Sequence, residues 1–165
     1  MPTDIGEYVR GLRQRFSPLL APLPVEITLV GSSGVGVLAS DTAPADAIAV
    51  IERIAAATAP LQVAFGPIAT FPGSGVYYFP PVSPLPWEQL HRMFATSGLR
   101  FAPTPFLFTP HLTAVKFDVP EPAELAATAL ALAPPPPGEA AALSLYTLDG
   151  YDCTLLHRTH LRGAA

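Results

Sequence analysis

The sequence predicts a mixed α and β protein, built as one domain or two small lobes. Three observations lead there. Several segments carry apolar residues at helical spacing. Others are short apolar or alternating runs bounded by glycine and proline turn signals, which read as strands. A strand–loop–helix–strand unit then occurs twice along the chain. With 165 residues, half of them hydrophobic and 13% charged, the chain can bury a real core.

The elements follow in order. Ile5, Val9, Leu12 and Phe16 give a helix over residues 4–16, with Asp4 as its N-cap. Arg10, Arg13 and Arg15 spread around its flank. Prolines break residues 17–24. Residues 25–31 read as a strand, followed by a Gly/Ser loop to about residue 41. Ile48, Ile51, Ile54 and Ala55 form the buried side of a helix over 44–59. Residues 61–71 are a strand interrupted at Pro67, 72–75 (Pro-Gly-Ser-Gly) a turn, and 76–79 a strand. After a proline-rich loop, Leu90, Met93 and Phe94 mark a helix over 87–97, with His91 facing outward as a solvated residue. Residues 106–117 contain a strand, 122–133 a helix and 141–148 a strand. Asp149-Gly150 is a hairpin signal before a last strand over 151–161. The 21 prolines fall at element boundaries and do not imply disorder. The repeated unit runs over residues 25–70 and again over 109–147. Two such units facing each other form two lobes, with one strand of each meeting at a cleft.

Bulk properties narrow the function classes. No apolar run approaches the ~18 residues of a membrane span. The N-terminus lacks a basic region followed by an apolar segment, so no secretory signal is expected. Cys153 is the single cysteine, which leaves no internal disulfide and no metal spacing. A cytoplasmic protein is expected. Net charge is −4, and eight arginines and one lysine face 13 acids. That balance argues against a duplex DNA footprint, which needs many phosphate contacts. A small phosphate ligand or the end of an RNA is compatible with it.

The chemistry concentrates in Pro110-His111-Leu112-Thr113. On a strand, His111 and Thr113 point the same way, ~7 Å apart. An imidazole and a hydroxyl on one face suit a phosphate, because one moves a proton and the other donates a hydrogen bond. The layout recurs as Glu26-Ile27-Thr28, with glutamate where the histidine would stand.

In these residues the chain resembles the two-histidine (2H) phosphoesterases, which include the bacterial 2′-5′ RNA ligase-like proteins. Phe65-Gly66-Pro67 through Tyr77-Tyr78-Phe79 is similar to that family's middle hairpin. Phe108-Thr109-Pro110-His111-Leu112-Thr113 is similar to its second signature, and Ser144-Leu145-Tyr146-Thr147-Leu148-Asp149-Gly150 with the following strand to its C-terminal hairpin. The resemblance implies an α+β fold: a single domain of two pseudo-symmetric lobes, with antiparallel sheets and outer helices around a central cleft. It implies metal-independent acid–base catalysis on 2′,3′-cyclic phosphates or 2′-5′ linkages, with no cofactor, by a monomer acting on a nucleotide or RNA end. His111 and Thr113 match the second H-x-[ST] copy. In the first copy Thr28 matches and Glu26 does not.

The departure at position 26 divides the functional reading. Glutamate at its usual pKa of ~4.3 is ionised near neutrality. As part of an acid–base pair, Glu26 takes a proton while His111, held as imidazolium by the nearby carboxylate, supplies one. Thr28 and Thr113 then hydrogen-bond the phosphate. A carboxylate also repels that phosphate by ~1 kcal/mol at 4 Å in water, which a threonine or an arginine must offset. The alternative is a degenerate domain that binds nucleotides or RNA ends without turnover. Tyr77 and Phe106 are assigned to the cleft mouth as stacking surfaces, and Arg13 and Arg15 to phosphate steering. His157, in a second literal H-x-T, is a minor candidate to replace the missing histidine. A solvated terminal strand is the plainer reading of His157 and His160.

Overall fold

The computed structural model describes residues 1–164. Helix α1 (Thr3–Phe16) starts one residue before the expected span. Pro2 holds the N-cap, and Asp4 sits in the first turn, where its charge suits the exposed amide ends. Helix α2 (Pro44–Ala57) opens on a proline, whose fixed φ and missing N–H cost nothing in a first turn. Strands β1 (Leu61–Val63) and β2 (Ala69–Thr70) replace one long strand, because Pro67 cannot donate to a ladder. Strand β3 (Val76–Phe79), helix α3 (Leu85–Ala95), strand β4 (Leu112–Lys116) and helix α4 (Ala123–Leu130) follow. The chain ends with β5 (Gly138–Ala140), β6 (Ala142–Asp149) and β7 (Asp152–His160).

All strand pairs are antiparallel. They form a β2–β3–β4 sheet, a β6–β7 hairpin and a β1–β5 pair. The β1–β5 pair joins the strand after α2 to the strand after α4, so the two repeated units meet there. Gln62 and Glu139 lie opposite each other in that pair and share a 2.8 Å hydrogen bond. Strand β5 gave no sequence signal, being three residues at the end of a proline run. Its Gly138 is required by packing: a Cβ there would stand 2.6 Å from Pro2 and 3.1 Å from Ile5, so only glycine lets α1 lie this close.

The expected strand over residues 25–31 is not one; those residues form no ladder. Their burial alternates all the same: Val25 and Ile27 are buried, Glu26 is half-buried and Thr28 exposed. The period-2 pattern reported the buried positions although no ladder formed there.

The main core joins Ile5 and Val9 of α1 with Val25, Ile27, Val63, Phe79, Trp87, Leu112 and Ala114. A second cluster packs Ile51 and Ile54 of α2 with Leu90 and Phe94 of α3 under Leu143 and Leu161. No helix is long and apolar enough to cross a membrane among the described residues.

Candidate active site

The two motif segments share one core. Val25 and Ile27 of the first and Leu112 and Ala114 of the second belong to the same buried cluster. Glu26 and Thr28, and likewise His111 and Thr113, therefore point away from it.

One buried arginine ties the segments together. Arg13 of α1 is 4% exposed. Its Nη1 donates to the carbonyls of Leu23 at 2.9 Å and Pro24 at 3.2 Å, with a longer contact to Leu20. Its Nη2 donates to the carbonyl of Thr113 at 2.7 Å. The planar guanidinium thus spans the residues entering the first motif and the centre of the second. This overturns the assignment of Arg13 to phosphate steering, since both terminal nitrogens are committed to backbone. Burial lowers its pKa to about 10, opposed by the charge of Glu26, so it stays cationic at neutral pH. Its Nε is the one buried side-chain polar atom without a partner among the described residues.

His111 is half-buried and its tautomer is set. Nδ1 lies 2.7 Å from the carbonyl of Thr109 and can only donate to it, which leaves Nε2 as the nitrogen that exchanges a proton. Burial pushes its pKa below the usual 6.5, and the Thr109 carbonyl opposes the shift. The imidazolium expected from a nearby carboxylate is therefore not favoured. Phe71 and Tyr78, stacked on each other at 4.3 Å, stand edge-on to the imidazole at 5.0 and 5.2 Å.

Glu26 is shifted the other way. Burial raises its pKa, while the Met1 amino group, the Tyr146 hydroxyl, Arg158 and Arg13 all favour the ionised form. The hydroxyls of Thr28 and Thr113 make no hydrogen bond among the described residues, so both are free to donate. Tyr146 and Arg158 come from the β6–β7 hairpin and were missed in the sequence. A signal existed: Ser144 and Tyr146 alternate on one strand, and an arginine lies on the other.

Several candidates land elsewhere. Tyr77 is a correction: it is 2% exposed, packs edge-on against Phe117 and donates to Glu121 at 2.9 Å. Alternation was the right logic with the wrong choice, since Tyr78 is the one beside His111. Phe106 is 67% exposed, and its carbonyl accepts from Gly34 in the loop after the first motif. Arg15 is exposed, with its guanidinium 4.7 Å above the Phe16 ring on the flank of α1. His157 faces α2 and contacts Glu52 at 2.8 Å, alongside Arg162, so it does not replace the absent histidine. Nor is His91 solvated as expected. Its Nδ1 donates to the Leu29 carbonyl at 2.7 Å, and its ring stacks flat on Phe108 at 3.9 Å. It anchors the far end of the first motif segment to α3, a role its helical position does not advertise.

This arrangement has known counterparts. The chain is similar over its whole length to the crystal structure of TT0787 of Thermus thermophilus, covering 96% of it at 19% identity with a TM-score of 0.69. A structure described as a phosphoesterase gives a TM-score of 0.62 at 20% identity, covering 98% of this chain and 93% of that one. E. coli LigT complexed with 3′-AMP gives 0.58 at 19% identity, again covering 98% and 93%. At these identities the likeness is one of fold. No curated protein matches the sequence. The family model of the 2′-5′ RNA ligase superfamily, however, matches residues 1–152. With α+β architecture, antiparallel sheets and both motif segments in place, this chain belongs to the 2′-5′ RNA ligase superfamily.

Proposed function

We propose that this protein is a cytoplasmic, monomeric phosphoesterase of two pseudo-symmetric lobes. It opens 2′,3′-cyclic phosphates or 2′-5′ phosphodiesters at nucleotide or RNA ends. Glu26 and His111 face one cleft, and Thr28 and Thr113 hold the phosphate. The observation that carries this reading is the Arg13 clasp, which keeps the backbones of the two motif segments on one guanidinium. The family assignment supports phosphoester chemistry. LigT, a structural neighbour, has been crystallised with 3′-AMP and with NADP+, and this supports a phosphorylated ribose as the ligand.

In hydrolysis, water attacks phosphorus as one side chain takes its proton, and the departing ribose oxygen receives a proton from the other. Glu26 is the base and His111 the acid, and burial moves their pKa values toward each other. Glu26 rises above its ordinary value and His111 falls below 6.5. The working state holds one proton across the two, with the base unprotonated and the acid protonated.

The sign of the pH dependence follows. Below the lower apparent pKa both groups are protonated and no base remains. Above the upper one neither is, and no acid remains. Plots of kcat/KM against pH for uridine 2′,3′-cyclic phosphate should therefore be bell-shaped, with the maximum on the acid side of 6.5. Glu26→Ala should cost about 10²-fold or more and remove the acid limb. Glu26→His should move that limb upward. A flat profile through this range would exclude the pair, and an inert wild type rescued by Glu26→His would mark a binding domain instead.

A further inference from the structure

We propose that Arg158 binds the substrate phosphate beside Glu26 and supplies the positive charge that a carboxylate at position 26 takes away. This rests on the phosphoesterase reading of the same site and assigns it a further binding residue.

Strand β7 turns its alternate side chains in opposite directions. His157 faces α2, where it contacts Glu52, and the buried Thr159 shares Arg162 with the same glutamate. Arg158, between them, must point to the other face of the hairpin. Across the ladder it pairs with Ser144, two residues before Tyr146. Tyr146 and Arg158 are also two of the groups whose proximity favours ionised Glu26. The face that carries Ser144, Tyr146 and Arg158 is thus the one turned away from α2.

Arg158 is also uncommitted. Arg13 is held by carbonyls, Arg53 by the Ser97 carbonyl, Arg100 by Asp41 and Arg162 by Glu52. Arg158 is exposed and makes no ion pair or hydrogen bond among the described residues. A guanidinium fork matches two phosphate oxygens and is weakly hydrated for a cation, so it moves onto a phosphate at low cost. With histidine at position 26 such a charge would be an addition. With glutamate there, two anions meet, and a cation reaching both makes the arrangement workable.

The test uses Arg158→Met and Arg158→Lys, alone and combined with Glu26→His, in the full chain. Adenosine 3′-phosphate is the binding probe and uridine 2′,3′-cyclic phosphate the turnover probe. Arg158→Met should weaken adenosine 3′-phosphate binding about tenfold or more, with lysine recovering part of it. In the Glu26→His background the loss on Arg158→Met should be several-fold smaller. Unchanged binding and turnover in an active protein would overturn Arg158 and leave the phosphoesterase reading standing. Binding that depends on Arg158 in a protein without turnover would do the reverse. Equal losses in both backgrounds would overturn the compensation for Glu26. A wild type that neither binds nor turns over the probes would overturn both.

Discussion

Replacing His111 with alanine is expected to lower turnover of a 2′,3′-cyclic phosphate by about 10²–10⁴-fold while the fold survives. Among the described residues, the imidazole's only polar tie is to the carbonyl of Thr109, two residues away on the same chain. Losing that bond removes little long-range structure. The substrate-side nitrogen, Nε2, is lost with it, and two of the other histidines are tied up elsewhere. His157 is held by Glu52 and His91 by Leu29. His111→Gln makes a useful companion, because it keeps a polar side chain of similar reach without proton transfer and should be nearly as inactive. Loss of activity with an unchanged denaturation midpoint would support the assignment. An alanine variant with wild-type kcat would remove His111 from the chemistry and take the whole reading with it.

The second large effect is expected at a residue that touches no substrate. Arg13→Met should cost about 3 kcal/mol or more of stability. It leaves the carbonyls of Leu23, Pro24 and Thr113 without the shared donor that the buried guanidinium supplies. Activity should fall as well, by about 10²-fold, because the motif segments would lose their common reference and small misplacements of reacting groups are expensive. Arg13→Lys keeps the charge but offers a single compact ammonium, which does not span carbonyls on both segments. It should recover stability better than activity. Arg15→Met, two residues along on the exposed flank, is the control and should stay within about 0.5 kcal/mol of wild type. Urea denaturation and kcat measured on the same preparations would decide the matter. An Arg13→Met variant as stable as the Arg15→Met control would show that the clasp is dispensable.

The contrast between Arg13 and Arg15 illustrates what a helix pattern conveys. Ile5 and Val9 marked the buried face of α1 correctly. An arginine four residues beyond Val9 lies on that same face, so position 13 was a buried one by periodicity. Charge argued for solvent and periodicity for the interior. Periodicity prevailed because backbone carbonyls were waiting to receive the guanidinium. Tyr77 and Tyr78 carry the same lesson for strands. Alternation required one to be buried, yet only the hydrogen-bonded register of β3 against β4 decided which ring would stand beside His111. That register contains a bulge between the two tyrosines, which local sequence does not encode.

Position 26 is a third case. Its alternation with Val25 and Ile27 placed the carboxylate on the outward face whether or not a ladder formed. What the carboxylate meets there is a matter of long-range contact. Burial raises its pKa, and the groups opposing that shift come from α1, the start of the chain and the last hairpin.

The order of residues alone therefore determined the mixed α and β architecture, the superfamily's motif positions and the faces of Glu26, Thr28, His111 and Thr113. Each of these rests on spacing between near neighbours, which the periods of helix and strand fix locally. Tertiary structure alone decided that Arg13 is a clasp, that Tyr78 and not Tyr77 stands by the imidazole, and that Tyr146 and Arg158 approach Glu26. Those outcomes depend on which distant carbonyls, rings and charges the fold brings together, and residue-to-residue periodicity carries no record of that.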